Sequence, residues 1–337
     1  MVVFTVIIGA GWIRWTATRQ VYHDSGEKVV TIDPGSGTRA VLARLADAGI
    51  VRHPIALRLY LLVTRQGGQL KAGDYKFASP ISPMQALEKI HRGDVYSDRV
   101  TIPEGFNRFE IAEVLTSKTG KATPEQFLQL MNDTSLVAGI APEAENLEGY
   151  LFPDTYICTT RTATEDLIRG MVRRFQEVFT PEMAARAKRL GMSVNQVITL
   201  ASIIEKEAKA PEDRSLIASV LRNRLARGMP LAADPTFIYA AMLAGDYDGN
   251  PNQPRHRRRE SPYNTYIHAG LPPGPIASPG RASIEAALYP ADTDYLYYVL
   301  ATPDGRHKFS RTVAEHEAAV AEYHLLRQQQ QSQNNGR

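Results

Sequence analysis

The sequence predicts an α+β protein in which a small βααβ subdomain precedes a larger mixed α/β domain. Apolar residues recur at helical spacing in several segments, and short β-branched or aromatic runs bounded by Gly, Pro or Asp lie among them. The 337 residues suffice for one large domain and a smaller one, and a hydrophobic content of 43% fits a packed globular body.

The composition excludes several classes of function. Lys plus Arg total 39 against 36 for Asp plus Glu, and a net charge of +3 is too small to indicate a polyanionic partner for the whole chain. The single cysteine, Cys158, rules out an intrachain disulfide. Because the sequence has no zinc-type spacing of Cys and His and no Gly-rich phosphate loop, we expect neither a metal nor another cofactor.

The chain begins with an apolar segment, Val2 to Ile13, which Arg14 interrupts. This segment is short of the ~20 residues that span a bilayer. Counting through Ala17, with the Arg14 side chain reaching toward lipid headgroups, gives a marginal span. We therefore interpret residues 1–20 as a membrane anchor, possibly truncated if the natural start lies upstream. A buried N-terminal strand or helix is the alternative on length grounds.

The small subdomain is predicted for residues 28–96. A strand at Lys28 to Asp33 is followed by a helix that begins at Thr38, a second helix from Pro54 to about Thr64, and a strand at Leu70 to Phe77. This order resembles the LysM module, a carbohydrate-binding fold of cell-wall proteins. A generic small α+β domain is the alternative.

The larger domain is predicted for residues 97–327. Val100 to Ile102 reads as a strand, and Asn107, with Glu110 three residues later, caps the helix that follows the turn. Residues 328–337 are polar and are predicted to be a disordered tail.

An aromatic and acidic segment, Leu147 to Tyr156, fits neither helix nor strand periodicity. Loops of this composition often line sugar sites, because aromatic rings stack on sugar rings and carboxylates accept hydrogen bonds from hydroxyls. From composition alone, a tight loop that packs its aromatic side chains into the core is the favoured alternative.

The centre of the chain is ASIIEKEA, Ala201 to Ala208, within a helix whose apolar residues recur at helical spacing. Glu205 and Glu207 fall on opposite shoulders of the apolar stripe, each roughly 80° from its middle, while Lys206 points away. Half-desolvation raises the pKa of a carboxyl group toward the range of a general acid near neutral pH. Helix periodicity alone does not choose between the two glutamates.

Two later stretches stand out. The dense basic run Arg255 to Arg259 is typical of a solvated loop, with contact to acidic groups on a polymer or lipid as the alternative. Ser261 to Pro279 contains five prolines, so we predict a rigid, ordered loop that positions side chains.

Six ordered motifs together resemble the endolytic murein transglycosylases, the MltG or YceG-like family. The resemblance covers residues 28 to 325. The motifs are IPEG at Ile102, LEGYLFPDTY at Leu147, ASIIEKEA at Ala201, NRL at Asn223, DPT at Asp234, and SPYNTY with GLPPGPI from Ser261 onward.

The resemblance implies a fold, a cellular location and an activity. Members of this family have one N-terminal helix in the bacterial inner membrane, a LysM-like subdomain and a catalytic domain on the periplasmic or extracytoplasmic side, and they cleave nascent peptidoglycan strands internally. We expect peptidoglycan and the membrane as partners, a monomer that works beside peptidoglycan synthases, and no nucleic acid. The sequence departs from many relatives at Ala232 and Ala233, where they carry a glutamine.

The resemblance places the catalytic glutamate at Glu205, with Glu207 as a neighbour. In a lytic transglycosylase one carboxyl group protonates the leaving oxygen and then takes the proton of the muramic C6 hydroxyl, which gives a 1,6-anhydro end. A hydrolase would need a second carboxylate at a fixed separation, and Asp234, Glu148 and Asp154 are candidates.

Eight further residues are predicted to contact the substrate, with support of a rigid loop as the alternative role for several of them. They are Glu148, Tyr150, Asn223, Arg224, Asp234, Tyr263, Asn264 and Tyr266. His307 and His316 are interpreted as structural. The alternative function is a non-catalytic protein that binds peptidoglycan or acts as a scaffold. A nucleic-acid binder is disfavoured, because the basic run has no aromatic platform.

Overall fold

The chain is an α+β protein, as its sequence predicts, with more helix than strand. The computed structural model describes residues 2–23, 26–65, 70–251, 253–302 and 304–335, and side chains within residues 9–328 of these ranges. Two compact units are present, one of residues 1–99 with 157–162 and one of residues 100–156 with 163–337. In the described part, the strands form three two-stranded sheets.

Where the structure describes it, the first unit contains a two-stranded sheet and four helices. Strands β1 and β2 are antiparallel, with Glu27 opposite Ala78 and Ile32 opposite Gly73. Its core is formed by apolar side chains from both strands and from the helices, such as Leu45, Tyr75 and Phe77. The elements are α1 (Val2–Thr18), β1 (Glu27–Ile32), α2 (Thr38–Asp47), α3 (Pro54–Thr64), β2 (Gly73–Ala78) and α4 (Pro83–Arg92).

The apolar N-terminal segment is helical. Helix α1 has 17 residues, and Ala17 near its end is buried in the core of the first unit. Trp12 and Trp15 are half exposed. Among the residues that the structure describes, no helix combines the length and the apolar character needed to cross a membrane. Met1, at the start of the predicted anchor, lies outside the described residues.

The second unit is mostly helical. Reciprocal capping by Asn107 and Glu110 begins α5, as their spacing predicts. Two short 3₁₀ helices, Thr134–Leu136 and Pro211–Asp213, occur in the connections. The first elements along the chain are β3 (Asp98–Thr101), α5 (Arg108–Thr119), α6 (Pro124–Leu130), β4 (Thr155–Cys158), α7 (Thr164–Val178) and α8 (Pro181–Arg189), with β3 paired to β4.

Helix α9 is the centre of the second unit. It packs against α8, α10, α11 and α13, and most of its side chains are buried. The remaining elements are α9 (Val194–Glu207), α10 (Arg214–Ala226), α11 (Asp234–Leu243), α12 (Pro254–Arg257), α13 (Arg281–Leu288), β5 (Tyr297–Leu300), β6 (His307–Ser310) and α14 (Val313–Asn335).

The end of the chain differs from its predicted state. Helix α14 continues to Asn335, so the backbone of residues 328–335 is helical where polar composition predicts a disordered tail. Glutamine is a good helix former, and the run of glutamines extends the helix without breaking residues. Residues 336 and 337 lie outside the described residues.

The segment Leu147 to Tyr156 packs its first half into the core. Leu147, Tyr150 and Leu151 are fully buried. The Glu148 carboxylate is also buried, and it accepts hydrogen bonds from the Arg108 backbone N–H at the start of α5 and from the Tyr239 hydroxyl. Burial raises the pKa of Glu148 to about 7, against the opposing effect of these hydrogen bonds.

Gly149 allows a close approach of this segment to its neighbours. Its φ is +82°, and a Cβ there would lie 2.5 Å from the Pro275 Cβ and 2.8 Å from the Ile198 Cγ2. A side chain at this position therefore faces both a left-handed backbone and a steric overlap with a proline ring and with α9.

Gly149→Ala is expected to destabilise the protein by about 3 kcal/mol or more, and Gly191→Ala by about 1 kcal/mol. Both glycines have left-handed φ values, but a Cβ at Gly191 meets no atom within 4 Å. The comparison therefore separates backbone strain from steric overlap. Urea unfolding of both variants measures the difference, and equal losses would contradict the close approach at Gly149.

The wild type is expected to lose stability relative to Glu148→Gln as the pH rises from about 4.5 to about 7. In that window the unfolded chain has released the Glu148 proton while the folded protein still holds it, so the folded state is disfavoured progressively. The loss amounts to at most about 3 kcal/mol. Urea unfolding between pH 4 and 8 measures it, with the exposed Glu113→Gln as the control that should run parallel to the wild type.

Candidate active site

Glu205 lies in the last turn of α9, which is held in place along its whole length. Ser193 begins the helix through reciprocal capping with Gln196. Ile203 and Ile204, just before the glutamate, are fully buried, and the Glu205 side chain itself is only 8% exposed. The carboxyl group is therefore fixed by a packed helix rather than by a mobile loop.

The proline-rich segment Ser261 to Pro279 is bonded to the polar groups of α9. The Asn195 side chain donates to the Pro273 carbonyl (3.1 Å), and the Ile276 N–H donates to the Ser202 hydroxyl (3.1 Å). Both helix residues are buried. The predicted rigid loop is thus held at two points along the helix that carries Glu205.

The IPEG turn contacts both the proline-rich loop and the end of α9. The Gly105 N–H donates to the Ser278 carbonyl (2.9 Å), and the Ser278 N–H donates to the Phe106 carbonyl (2.8 Å). The Lys206 ammonium donates to the Gly105 carbonyl (3.1 Å). The end of α9, the turn after β3 and the end of the proline-rich loop therefore meet at Glu205.

The Glu205 carboxylate has two polar neighbours. The Gly280 N–H donates to its Oε2 (3.0 Å), and the Arg214 guanidinium lies 3.9 Å from its Oε1. Because one oxygen is engaged by a backbone donor, the other is the oxygen available for proton transfer.

A second carboxyl group, that of Glu104 in the IPEG turn, lies at the same glycine. A Cβ on Gly280 would overlap with the Glu104 carboxyl group. Burial, and then the negative charge of Glu205, raise the pKa of Glu104, while Arg214 opposes the rise. Glu104 belongs to the IPEG motif but is not among the predicted site residues, although an acidic residue in a Pro-Gly turn after a strand is a signal for such a position.

A cavity of about 620 Å³ lies beside Arg214. Its lining includes Arg281, next to Gly280, and the half-exposed ring of Tyr289. The lining also includes three acidic residues, Glu182, Glu212 and Glu285, while Glu205 and Glu104 are not part of it. Arg214 is the lining residue that also lies beside the Glu205 carboxylate. Within the described ranges, no three His, Cys, Asp or Glu side chains are grouped so that they could hold a metal ion.

Glu207 faces a different environment. Its carboxylate accepts hydrogen bonds from the Tyr298 hydroxyl and from the Asp234 backbone N–H at the start of α11. Burial, and then the charge of Asp234, raise the pKa of Glu207 to about 7. Glu207 therefore connects α9 to α11 and to β5, and helix periodicity alone does not predict these links.

Three of the predicted substrate contacts are interior side chains in this structure. Glu148, Tyr150 and Asn264 are buried. The Tyr150 hydroxyl donates to Asn195 Oδ1 (2.8 Å), and the Asn264 side chain donates to the carbonyls of Arg257 and Arg259. These groups support the loops that surround Glu205, because their polar atoms are already bonded to protein groups.

Asn223 and Arg224 also bind protein groups. The Asn223 amide donates to the carbonyls of Thr293 and Tyr295, and the Arg224 guanidinium donates to those of Leu296 and Leu231. In this structure the two side chains fix the backbone that leads into β5.

The remaining predicted contacts lie near the start of α11. Tyr263 is largely buried against the Tyr239 ring (5.2 Å between centroids). Tyr266 is partly exposed and donates to the exposed Asp234 through its hydroxyl (2.6 Å). Of the eight predicted contacts, Asp234 is exposed, and Tyr266 is partly exposed, as are Asn223 and Arg224.

The three predicted second carboxylates all bind groups other than Glu205. Glu148 is sealed in the core, Asp154 pairs with Arg174 (2.7 Å), and Asp234 bonds to Tyr266. Within the described residues, Glu104 is the carboxyl group near Glu205, because both side chains lie at Gly280.

At Ala232 and Ala233, where the resemblance predicts a glutamine, the backbone N–H groups form hydrogen bonds. The Ala232 N–H donates to the Thr265 carbonyl (3.0 Å), and the Ala233 N–H donates to the Thr265 hydroxyl (3.1 Å). Ala232 has a φ of 47°, which is uncommon for a residue with a Cβ. The segment before α11 is therefore positioned by main-chain contacts.

Comparisons with known proteins agree with the predicted resemblance. The YceG-like family model matches residues 30–322. An endolytic murein transglycosylase of Bacillus subtilis (strain 168) is 32% identical in an alignment that covers 94% of this chain and 91% of that protein. An endolytic murein transglycosylase of Streptococcus pneumoniae (strain D39) is 30% identical, and the match covers 89% of this chain but 59% of the longer relative.

A solved structure has the same fold. The crystal structure of a yceG-like protein from Listeria monocytogenes matches with a TM-score of 0.60 and 33% identity, over 87% of this chain and 98% of that one. Because the family model covers most of the sequence and the relatives align over nearly its full length, the chain belongs to the YceG-like family.

Proposed function

We propose that the protein is an endolytic lytic transglycosylase of peptidoglycan. It cleaves the β-1,4 bond between N-acetylmuramic acid and N-acetylglucosamine inside nascent glycan strands and so limits strand length. The observation that carries this proposal is the nearly buried Glu205 carboxyl group at the meeting point of α9, the IPEG turn and the proline-rich loop. Relatives in two bacteria, named endolytic murein transglycosylases, support it.

In the first step Glu205 acts as the general acid. Its Oε1 gives a proton to the glycosidic oxygen, the bond from C1 to that oxygen breaks, and N-acetylglucosamine leaves with a free 4-hydroxyl. The substrate's own N-acetyl oxygen supports the positive charge at C1. The Gly280 N–H and the Arg214 guanidinium then stabilise the carboxylate that remains.

In the second step the same carboxylate acts as the general base. It takes the proton from the muramic C6 hydroxyl while the C6 oxygen bonds to C1, which gives the 1,6-anhydro end and restores the acid. Water is neither consumed nor released, so one carboxyl group serves both halves of the reaction. Asp234 and Tyr266 are proposed as groove residues because both retain exposed surface.

The location of the enzyme is a further part of the proposal. Residues 28–96 act as a LysM-like subdomain, and residues 1–20 anchor the protein to the inner membrane with the catalytic domain on the extracytoplasmic side, where a monomer works beside peptidoglycan synthases. The strand, helix, helix, strand order of the first unit and the apolar α1 with its two tryptophans support this arrangement.

Glu205→Gln is expected to lower the cleavage rate of unmodified glycan strands by about 10²–10⁴-fold, because it removes the transferable proton. Glu207→Gln, two residues further on the same helix, is the matched control and should retain most of the activity. Mass spectrometry of the ends identifies the product, since an anhydro end is lighter by one water than a hydrolysed end.

Three other results of this experiment would contradict the proposal. Equal activity of the two variants would sink the assignment of Glu205. Hydrolysed ends from the wild type would indicate a hydrolase, and binding without any product would favour the non-catalytic scaffold.

The pKa of Glu104 is expected to fall in Glu205→Gln, because the neighbouring negative charge that raises it is gone. Carbon-13 NMR titration of the glutamate carboxyl signals measures the change, with the Glu104 signal assigned through Glu104→Gln. Glu182, whose pKa is held low by the Thr180 hydroxyl, should titrate identically in both proteins. An unchanged Glu104 titration would show that the two carboxyl groups do not interact.

A further inference from the structure

Helix α3 of the first unit exposes an apolar face. Ile55, Leu59, Leu62 and Val63 are 78%, 48%, 64% and 83% exposed. Their spacing of four, seven and eight residues from Ile55 places them on one side of the helix. The opposite side, with Leu57 and Leu61, is buried in the core of the unit, so the exposed side has no role in packing the helix.

Helix α1 extends this apolar surface. It packs against α3, and the Trp12 ring lies 5.4 Å from the ring of His53, the residue that precedes α3. Trp12 and Trp15 are each half exposed. The two tryptophans and the four apolar residues of α3 together form what we call the α1–α3 face.

The same two segments carry positive charge without any negative charge. No Asp or Glu occurs in residues 1–23 or 48–73. Five arginines of these segments are exposed, and within the described residues none of them forms an ion pair. They are Arg14, Arg19, Arg52, Arg58 and Arg65. On the helical wheel Arg58 and Arg65 lie about 60° and 80° to one side of Ile55, so they flank the apolar residues.

We propose that the α1–α3 face docks the folded first unit on the surface of a bilayer that contains anionic lipids. Tryptophan favours the membrane interface, and arginines beside an apolar face extend toward lipid phosphates while the apolar side chains enter the acyl boundary. The contact differs from a membrane span by α1 alone, since it also uses α3 and depends on headgroup charge.

The positive charge of the α1–α3 face favours anionic lipid over a second copy of the chain as its partner. A symmetric dimer through this face would bring two sets of five unpaired arginines together, and like charges across an interface oppose association. Anionic headgroups complement them instead. The inference does not rest on glycan cleavage, so it stands or fails independently of the proposed enzyme activity.

An environment-sensitive probe at Leu62 tests the inference in the full chain. The NBD fluorophore is attached to Leu62→Cys, and vesicles of phosphatidylglycerol with phosphatidylcholine are compared with vesicles of phosphatidylcholine alone. Cys158 is buried, so the wild-type chain treated with the same reagent serves as the blank. We expect a blue shift of the Leu62 probe with the anionic vesicles, and none for a probe at Glu88→Cys, an exposed acidic position on α4.

Two triple variants test whether the arginines of the α1–α3 face are required for binding. Changing Arg52, Arg58 and Arg65 to Gln should lower the affinity of the Leu62-labelled chain for anionic vesicles by on the order of 100-fold. The control changes three exposed arginines of the second unit, Arg169, Arg173 and Arg189, to Gln, which alters net charge equally. Its affinity should stay near that of the wild type.

Three results would overturn the inference. Vesicle binding without a shift at Leu62 would show that α1 alone makes contact. Equal shifts with both kinds of vesicle would remove the role of charge. A shift without lipid, together with a dimer in size-exclusion chromatography, would assign the face to self-association.

Discussion

The site depends on two buried polar groups of α9 that bond to the proline-rich loop. A helix in the middle of a core would ordinarily be apolar throughout, and Asn195 and Ser202 depart from that rule. Each is satisfied by the loop, through the Pro273 carbonyl and the Ile276 N–H. Because an unpaired polar group in the core is costly, these bonds set the position of the loop along the helix. Gly280, just beyond the loop, is thereby brought to the Glu205 carboxylate.

Glu205 and Glu207 show how one helix separates two equivalent side chains. Their positions on the helix are symmetric, so their difference comes from what surrounds each of them. Glu205 meets a turn, a backbone N–H and an arginine that is not deeply buried, and it has a second carboxyl group and a cavity nearby. Glu207 meets a tyrosine hydroxyl and the first N–H of another helix, which are the partners of a structural link. Of the two glutamates, Glu205 is the one whose arginine neighbour also lines a cavity.

Much of the local structure could be predicted from the sequence, because its signals act over a few residues. The Asn107 and Glu110 pair caps α5, the helix around ASIIEKEA exists, and Glu205 lies at its end. Contacts that depend on distant segments could not be predicted. Composition marked Leu147 to Tyr156 as polar and aromatic, but whether Glu148 faces a sugar or the core depends on Arg108 and Tyr239, which lie far from it in the chain. The same limit hid Glu104, whose neighbour Gly280 is remote in sequence.

The pairing of basic side chains also depends on contacts that the sequence alone does not predict. The densest basic run, Arg255 to Arg259, predicts a cationic surface, yet Arg255 pairs with Asp248, Arg259 pairs with Asp246, and the Arg257 guanidinium lies over the Tyr266 ring. The dispersed arginines in and beside α1 and α3 form no ion pair within the described residues, although the Arg19 guanidinium lies over the Trp15 ring. A cation that already has a carboxylate partner contributes little attraction to a further anion, whereas unpaired cations beside apolar side chains attract anionic headgroups and gain from apolar burial together. Pairing in three dimensions, more than density along the chain, therefore decides which basic segment can bind an anionic surface.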